Sequence, residues 1–446
     1  MSVSNVYHKA INWIRSDIDR ALLTALVFTL PFDRIPSIDV FGITIRFSLI
    51  FGSLIILRFC YLLFNKKIKF KLQLQEKLLL FFLIWIVLII PESINLKRAV
   101  EVVAFNTFTV VTALSVAHLF KKKYIRPIIF ALLISATGVV IFGFYQYVGD
   151  ILGLPMSLTG LRDRYTWSVF GFPRIQATAL EPLYLAAYLL LPLSVALSAY
   201  LSATQSLFKK SNRLLLLVFI FSLGIFMTVS RGGIYGMVVM IFAVVIFMLW
   251  KGLTNFKRAA LSLAILVLAF IMSLLVINFI NKPPSEFTKG SKGAGAYVAQ
   301  IQDTGTDEGG DERAKSRQRA LLVINENKSA IVLGIGPGQF GPYVQNNIKV
   351  DGHWTIVNNL TLELLVETGL IGLVLIVFFF AITIWKGLRV AITSKDRNIT
   401  ILVISMSGFL ISQAIQYQTY STLYVMHIWA ATGLLLGLIA TSSAKK

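Results

Sequence analysis

The chain has 446 residues, 56% of them hydrophobic and only 14% charged, with a mean hydropathy of +0.76. Soluble domains carry about a quarter charged residues, so this composition excludes a soluble globular protein and points to an integral membrane protein. A formal charge of +21 would suggest a nucleic-acid surface in a soluble chain, but here the positive-inside rule is the first account, and Cys60, the single cysteine, excludes an intrachain disulfide and thiol metal sites.

Met1–Asp19 is polar and basic, without the apolar region or small-residue site of a cleavable signal peptide. Within it, Val6–Ile18 reads either as an interfacial amphipathic helix or as a frayed tail. Apolar runs near the length of a bilayer crossing then recur about twelve times. They fall near Ala21–Phe32, Phe41–Phe64, Leu78–Ile90, Ala99–Phe120, Ile125–Val148, Ala177–Leu201, Leu214–Val229, Ile234–Trp250, Ala259–Ile280, Leu360–Trp385, Ile399–Tyr417 and Leu423–Ala440. The block Leu214–Trp250 is too long for one span at about 1.5 Å per residue. It breaks once, at Ser230-Arg231-Gly232-Gly233, and so reads as a tight hairpin of two spans.

Lysines and arginines cluster on every alternate loop, at Lys66–Lys77, Lys121–Arg126, Lys209–Arg213, Lys251–Arg258 and Lys386–Arg397, and again near both termini. That pattern predicts both termini in the cytoplasm and an even number of spans. The expected fold is therefore an all-α polytopic bundle of about 12 transmembrane helices. Residues 1–280 would supply spans 1–9, with a short external loop at 149–176. Residues 281–357 would form a long external loop, and residues 358–446 spans 10–12.

The long loop opens on Pro283-Pro284 and continues through a Gly-rich acidic tract, Lys289–Glu312, whose lack of apolar periodicity predicts mobility. Arg313–Asn325 reads as an amphipathic helix with a basic face, and Gly334-Ile335-Gly336-Pro337-Gly338 as a cluster of tight turns. The segment Asn358–Gly372 then carries polar residues straight into an apolar span, which is costly unless they line a cavity.

The external loops also hold arginines that topology does not explain: Arg162, Arg164 and Arg174, then Arg231 in the hairpin tip, then Arg313, Arg317 and Arg319. Guanidinium groups bind phosphate through bidentate, charge-assisted bonds. Several converging from separate loops would suit a pyrophosphate headgroup. The plainer account of each is pairing with Asp163, Asp311 or Glu312, or contact with lipid phosphates.

Four of these features together resemble the O-antigen ligase and O-antigen polymerase superfamily (Wzy/WaaL type). They are the Ser230-Arg231-Gly232 tip, the pattern Arg313-x3-Arg317 ahead of Gly334-x-Gly336-x-Gly338-x-Phe340, Arg174 ahead of Leu180-Glu181-Pro182-Leu183-x2-Ala186, and the run from Asn358-Asn359 through Gly369 and Gly372. The resemblance is best over about residues 160–380. It implies a GT-C-type glycosyltransferase at the outer face of the bacterial cytoplasmic membrane, needing no cofactor and no metal. Its donor would be an oligosaccharide on undecaprenyl pyrophosphate, attacked at the anomeric carbon by a glycan acceptor.

By the same resemblance Arg174, Arg231 and Arg317 hold the pyrophosphate, with Arg313 able to replace Arg317. Asn358 stands where ligases of the family carry a histidine, and a neutral amide is no general base. His353, Glu181 and Glu363 are the available replacements. Asn359, Glu363 and Glu367 would form the acceptor-side rim, with Glu367 equally suited to partner an arginine. The missing histidine favours a polymerase, with a chain-length regulator and a flippase as partners. A ligase acting on a lipid A core or a protein is the alternative, and a lipid-linked oligosaccharide flippase is the alternative from another class. Glu101 and Asn106, in the fourth span, are the polar residues that a transporter reading would use. A nucleic-acid partner is not expected.

Overall fold

The structure is a computed structural model that describes residues 13, 16–40, 43–68, 71–202, 211–278, 295, 297–298, 308–348 and 355–443. His353 and most of Val6–Ile18 lie outside the described residues. Helices occupy all twelve apolar segments: α1 (Ile18–Thr29), α2 (Phe47–Phe64), α3 (Leu74–Leu88), α4 (Leu96–Leu119), α5 (Ile125–Ile151), α6 (Pro182–Leu201), α7 (Ser211–Met227), α8 (Arg231–Trp250) and α9 (Phe256–Asn278), then, after the long loop, three more. The loop itself contributes α10 (Glu308–Glu326) and α11 (Phe340–Asn347), and the last three are α12 (Leu360–Thr393), α13 (Arg397–Gln416) and α14 (Met426–Ser443). Among the described residues nine helices are long and apolar enough to cross a membrane, while α7 and α14 are shorter apolar helices and α1 has 12 residues. The protein is an all-α polytopic membrane protein.

Two boundaries differ from the hydropathy reading. Phe41–Phe64 is helical only from Phe47, because Ile43–Arg46 pairs antiparallel with Ser37–Val40 as strands β2 and β1. The alternating β-branched residues Ile43-Thr44-Ile45 suit a strand as well as a span, and apolar content alone does not separate the two. Ala177–Leu201 becomes helical only at Pro182, which sits in the first turn, after an extended Glu181.

Helix α6 is buried along nearly its whole length and packs against α5, α7, α8 and α13. Helices α2, α3 and α9 leave mostly apolar faces outward, as lipid-facing helices do. The bundle's two ends differ in chemistry. One end gathers Lys121, Lys122 and Lys123. Each meets a carboxylate: Asp19 at 3.4 Å, Asp396, and Asp17 at 2.7 Å, respectively. Arg58 adds a 2.8 Å contact to Asp19. Asp17 and Asp396 also cap α1 and α13. Although desolvation works the other way, hydrogen bonds from Lys123 and Tyr124 hold the Asp17 carboxyl down at about 2. Lys251 and Arg397 donate to the C-terminal carbonyls of Ile392 and Ser202, where positive charge complements the helix dipole. This is the lysine end.

At the other end, the arginine end, α6, α8 and α12 all begin, with Glu181, Ser230 and Asn359 at their N-caps. The long loop packs down here through a small core of Ala320, Val323, Ile335, Phe340, Val357 and Val366. Two places in the tract Lys289–Glu312, expected to be mobile, fall among the described residues. Helix α10 already starts at Glu308, and Tyr297 is fully buried, donating from its hydroxyl to the Phe226 carbonyl at 3.0 Å. A single tyrosine anchored by its ring and hydroxyl leaves no periodicity to read.

Candidate functional site

The α7–α8 corner is the sharpest feature of the arginine end. Helix α7 stops at Met227, Val229 takes a left-handed backbone (φ 53°), and the Ser230 hydroxyl accepts from the Gly233 N–H at 3.4 Å to open α8. Gly232 lets α8 press against the turn between α13 and α14, since a Cβ there would collide with the Thr419 hydroxyl. Arg231 is thereby set in the first turn of α8, beside a helix N-terminus that itself favours anions.

Arg174 reaches the same corner from the first external loop. Its Nε and Nη2 donate to the Thr228 and Val229 carbonyls at 3.0 and 3.2 Å, and its guanidinium lies over the Tyr165 ring at 5.7 Å. Loss of hydration pushes this guanidinium down from its ordinary range to about 10. Tyr165 and Glu181 work against that shift, while the neighbouring charges of Arg313 and Arg231 add to it. Three arginines from three separate segments thus share one field. Buried Tyr297 and Phe172 pack beside Val229 and floor the corner.

Arg317, one helical turn after Arg313, points elsewhere. Its Nη2 donates to the Gln418 carbonyl at 3.2 Å. The Gln418 side chain in turn accepts from Asn359 Nδ2 at 3.0 Å and donates to the Thr361 hydroxyl at 3.2 Å. Arg313 therefore faces the Arg174 side and Arg317 the rim, so the helix register admits both. Among the other sequence-singled residues, Glu181 is bound to Arg164 at 2.8 Å, and Asn358 is half-buried in a left-handed backbone (φ 54°). Arg98 lies 3.9 Å from Glu101, and Asn106 donates back to the Val102 carbonyl.

Glu367 departs from its expected place on the rim. Both carboxylate oxygens are taken by backbone: Oε2 accepts from Gly338 N–H at 2.7 Å and Oε1 from Phe340 N–H at 3.1 Å. Helix α12 is broken two residues later, at Gly369 (φ 67°, ψ −176°). The carbonyls that such a break frees are claimed from outside the helix: Val366 by Ile335 N–H, Glu367 by Gly336 N–H, each at 3.0 Å, and Thr368 by Trp85 Nε1 at 2.7 Å. A Cβ on Gly369 would collide with the Val332 carbonyl, and one on Gly334 with that of Glu367. The glycines of both motifs exist so that the loop backbone can dock into the helix break. Gln339 adds a reciprocal amide clamp to Asn95, at 2.8 and 3.1 Å.

An apolar groove runs from this mouth down between α12 and α13. Its volume is about 290 Å³, with Thr361, Tyr417 and Gln418 at the top and Ile376, Phe380 and Ile384 further down. The polar turn Gln416–Thr422, which touches Arg317, Asn359, Gly232 and, through Thr422, Tyr184 (3.1 Å), was missed by the sequence reading. Seven consecutive residues rich in Gln, Thr, Tyr and Ser between two spans were the available signal.

A polytopic membrane protein with a group of arginines and an apolar groove at the same end of its bundle is the class that fold and site define. Residues 216–377 match the family model described as O-antigen ligase, so the resemblance to the O-antigen polymerase and ligase superfamily stands over that stretch. The family is one of glycosyltransferase-like ligases and polymerases, and the match supports a function of that general type. The matched stretch takes in the Ser230 corner, α10, the glycine turns and the broken α12, while Arg174 and Glu181 precede it. No curated protein matches the chain.

Proposed function

We propose that the protein is a glycosyltransferase that polymerises undecaprenyl-pyrophosphate-linked oligosaccharide units at the outer face of the bacterial cytoplasmic membrane. The observation that carries this reading is the shared field of Arg174, Arg231 and Arg313 beside the N-termini of α6 and α8, at the end of the bundle where the apolar groove opens. A pyrophosphate carrying a prenyl chain has that same division: a multiply charged head and a long apolar tail. The paired lysines at the opposite end support a cytoplasmic placement of both termini.

In this reading the arginines hold the pyrophosphate and the groove takes the prenyl chain. The acceptor hydroxyl attacks the anomeric carbon from the Asn359–Gln418 side. Negative charge then grows on the departing pyrophosphate, where preorganised guanidinium groups lower the barrier most. Arg317 and Asn359 orient the glycan across the rim.

A ligase is the second reading, favoured by the description of the matched family. Purified protein given an undecaprenyl-pyrophosphate oligosaccharide separates the two. A ladder of products without added acceptor supports the polymerase. Product that forms only on adding a core lipid or a protein supports the ligase, and no glycan transfer under either condition overturns both.

A further inference from the structure

We propose that Glu363 is the group that takes the proton from the attacking acceptor hydroxyl, an assignment that rests on the transfer reaction proposed above. The reaction needs such a group: a sugar hydroxyl is a poor nucleophile, and proton removal by a placed side chain contributes about 10²–10⁴-fold. Asn358 has no proton-accepting side chain of that kind.

Three of the acids at the arginine end are engaged as follows. Glu181 is bound to Arg164. Glu367 has both oxygens committed to the loop backbone, where it holds the helix break together. Glu101 is turned toward Arg98. Glu363 has hydrogen-bond partners too, and differs in its position. It is half-buried, one turn after the α12 cap at Asn359, and its carboxylate faces the Val357 N–H and the Ser421 hydroxyl. Val357 is the chain neighbour of Asn358, so this carboxylate lies directly beneath the rim. Ser421 belongs to the same polar turn as Gln418, which bonds Arg317 and Asn359.

Glu363 also lines a cavity of about 30 Å³ with Asn106, Ser421 and Tyr424. The Asn106 Oδ1 there is buried and has no hydrogen-bond partner. The cavity is otherwise mostly apolar, with Phe82, Ile86 and Leu364 in its wall and Glu367 also on it, so its few polar groups are gathered around the Glu363 carboxylate and the Asn106 oxygen. The charged and titratable groups that face Glu363 are Glu367 on its own helix, Arg98 from α4, and Tyr424 ahead of α14.

The step balances as follows. The acceptor O–H proton moves to a Glu363 oxygen while the hydroxyl oxygen bonds to the anomeric carbon. The bond from that carbon to the pyrophosphate oxygen breaks, and its electron pair leaves on the pyrophosphate among the arginines. Glu363 then returns the proton to water.

The test compares wild type, Glu363→Gln and Glu363→Asp in nanodiscs with an undecaprenyl-pyrophosphate oligosaccharide. The expected result for Glu363→Gln is a kcat lower by about 10²–10⁴-fold with an unchanged donor KM. Its pH–rate profile should lose the acidic limb that wild type shows, and Glu363→Asp should recover part of the rate with that limb present. Three results overturn the assignment: a near-normal kcat in Glu363→Gln, a loss confined to KM, or an acidic limb that persists in Glu363→Gln. A wild-type protein that transfers nothing overturns the reaction itself, which is a separate failure from an active Glu363→Gln.

Discussion

The two ends of this bundle both concentrate positive charge, and the cations most prominent at each are held differently. At the lysine end each of three consecutive lysines meets a carboxylate, and two of those carboxylates double as helix caps. At the arginine end Arg174 and Arg317 donate to backbone carbonyls, and Arg174 also lies over the Tyr165 ring. Neutralised charge serves topology and architecture.

The largest expected effect breaks the arginine end. Arg231→Ala or Arg174→Ala should lower product formation by about 10²–10³-fold, the scale of removing one preorganised donor, while membrane insertion is unaffected. Lysine should rescue either variant poorly, because it lacks the planar fork. In vitro transfer with the purified variants reads this, and normal product length and yield in both would sink the proposed role.

Next comes the docking of the loop. Gly369→Ala forces a Cβ into the Val332 carbonyl at a left-handed position, which should cost on the order of 2 kcal/mol. A lower thermal midpoint and faster proteolysis of the 281–357 loop would report it. An unchanged midpoint would mean that the break tolerates a side chain.

At the lysine end the contrast predicts little. Lys122→Ala removes a half-exposed ion pair with Asp396, worth about 0.2–1 kcal/mol, and should leave transfer unchanged. A large loss of activity there would erase the distinction between the ends.

A further effect is pH-dependent. Asp33, near Arg46 at 3.7 Å, is pushed up by burial to about 6, against the opposing charge of Arg46. Its ordinary value is 3.8, so between these values the folded state binds more protons than the unfolded chain, and stability falls as pH rises through that window. Asp33→Asn should therefore stabilise the protein slightly at pH 8 and hardly at all at pH 4. A midpoint gain of equal size at both pH values would count against the shift.

Much of the scaffold was legible because hydropathy and the lysine pattern are long-range signals averaged over many residues. The α7–α8 hairpin and its Ser230-Arg231-Gly232-Gly233 tip follow from length and composition alone. The site was legible as a parts list but not as a set of contacts. Arg313 and Arg317 looked like alternatives in one register, yet a helix carries them to two different neighbours. Glu367 sat in the right motif with the wrong job, because backbone N–H groups that claim a carboxylate leave no trace in residue identity. Tyr297 and the Gln416–Thr422 turn act through tertiary contacts between segments far apart in the chain, and those are set by packing rather than by local pattern.

The break at Gly369 also changes where this chain can be cut and recombined. The first turns of α12, Leu360–Thr368, are bonded to the glycine turns of the loop and to Trp85, whereas the limb beyond Gly369 lies alongside α13 and α14. Those first turns are a junction: on one side they bond the glycine turns of the loop, and on the other Trp85 of α3 and, through the Leu360 N–H, the Tyr417 carbonyl. A chimaera that exchanges the long loop with a relative and stops at residue 357 would leave the Glu367 carboxylate and the carbonyls of Val366 and Glu367 facing a foreign backbone. One that crosses over at Gly369 carries the matching halves together, so the exchangeable module ends inside a helix rather than where the hydropathy profile says the membrane begins.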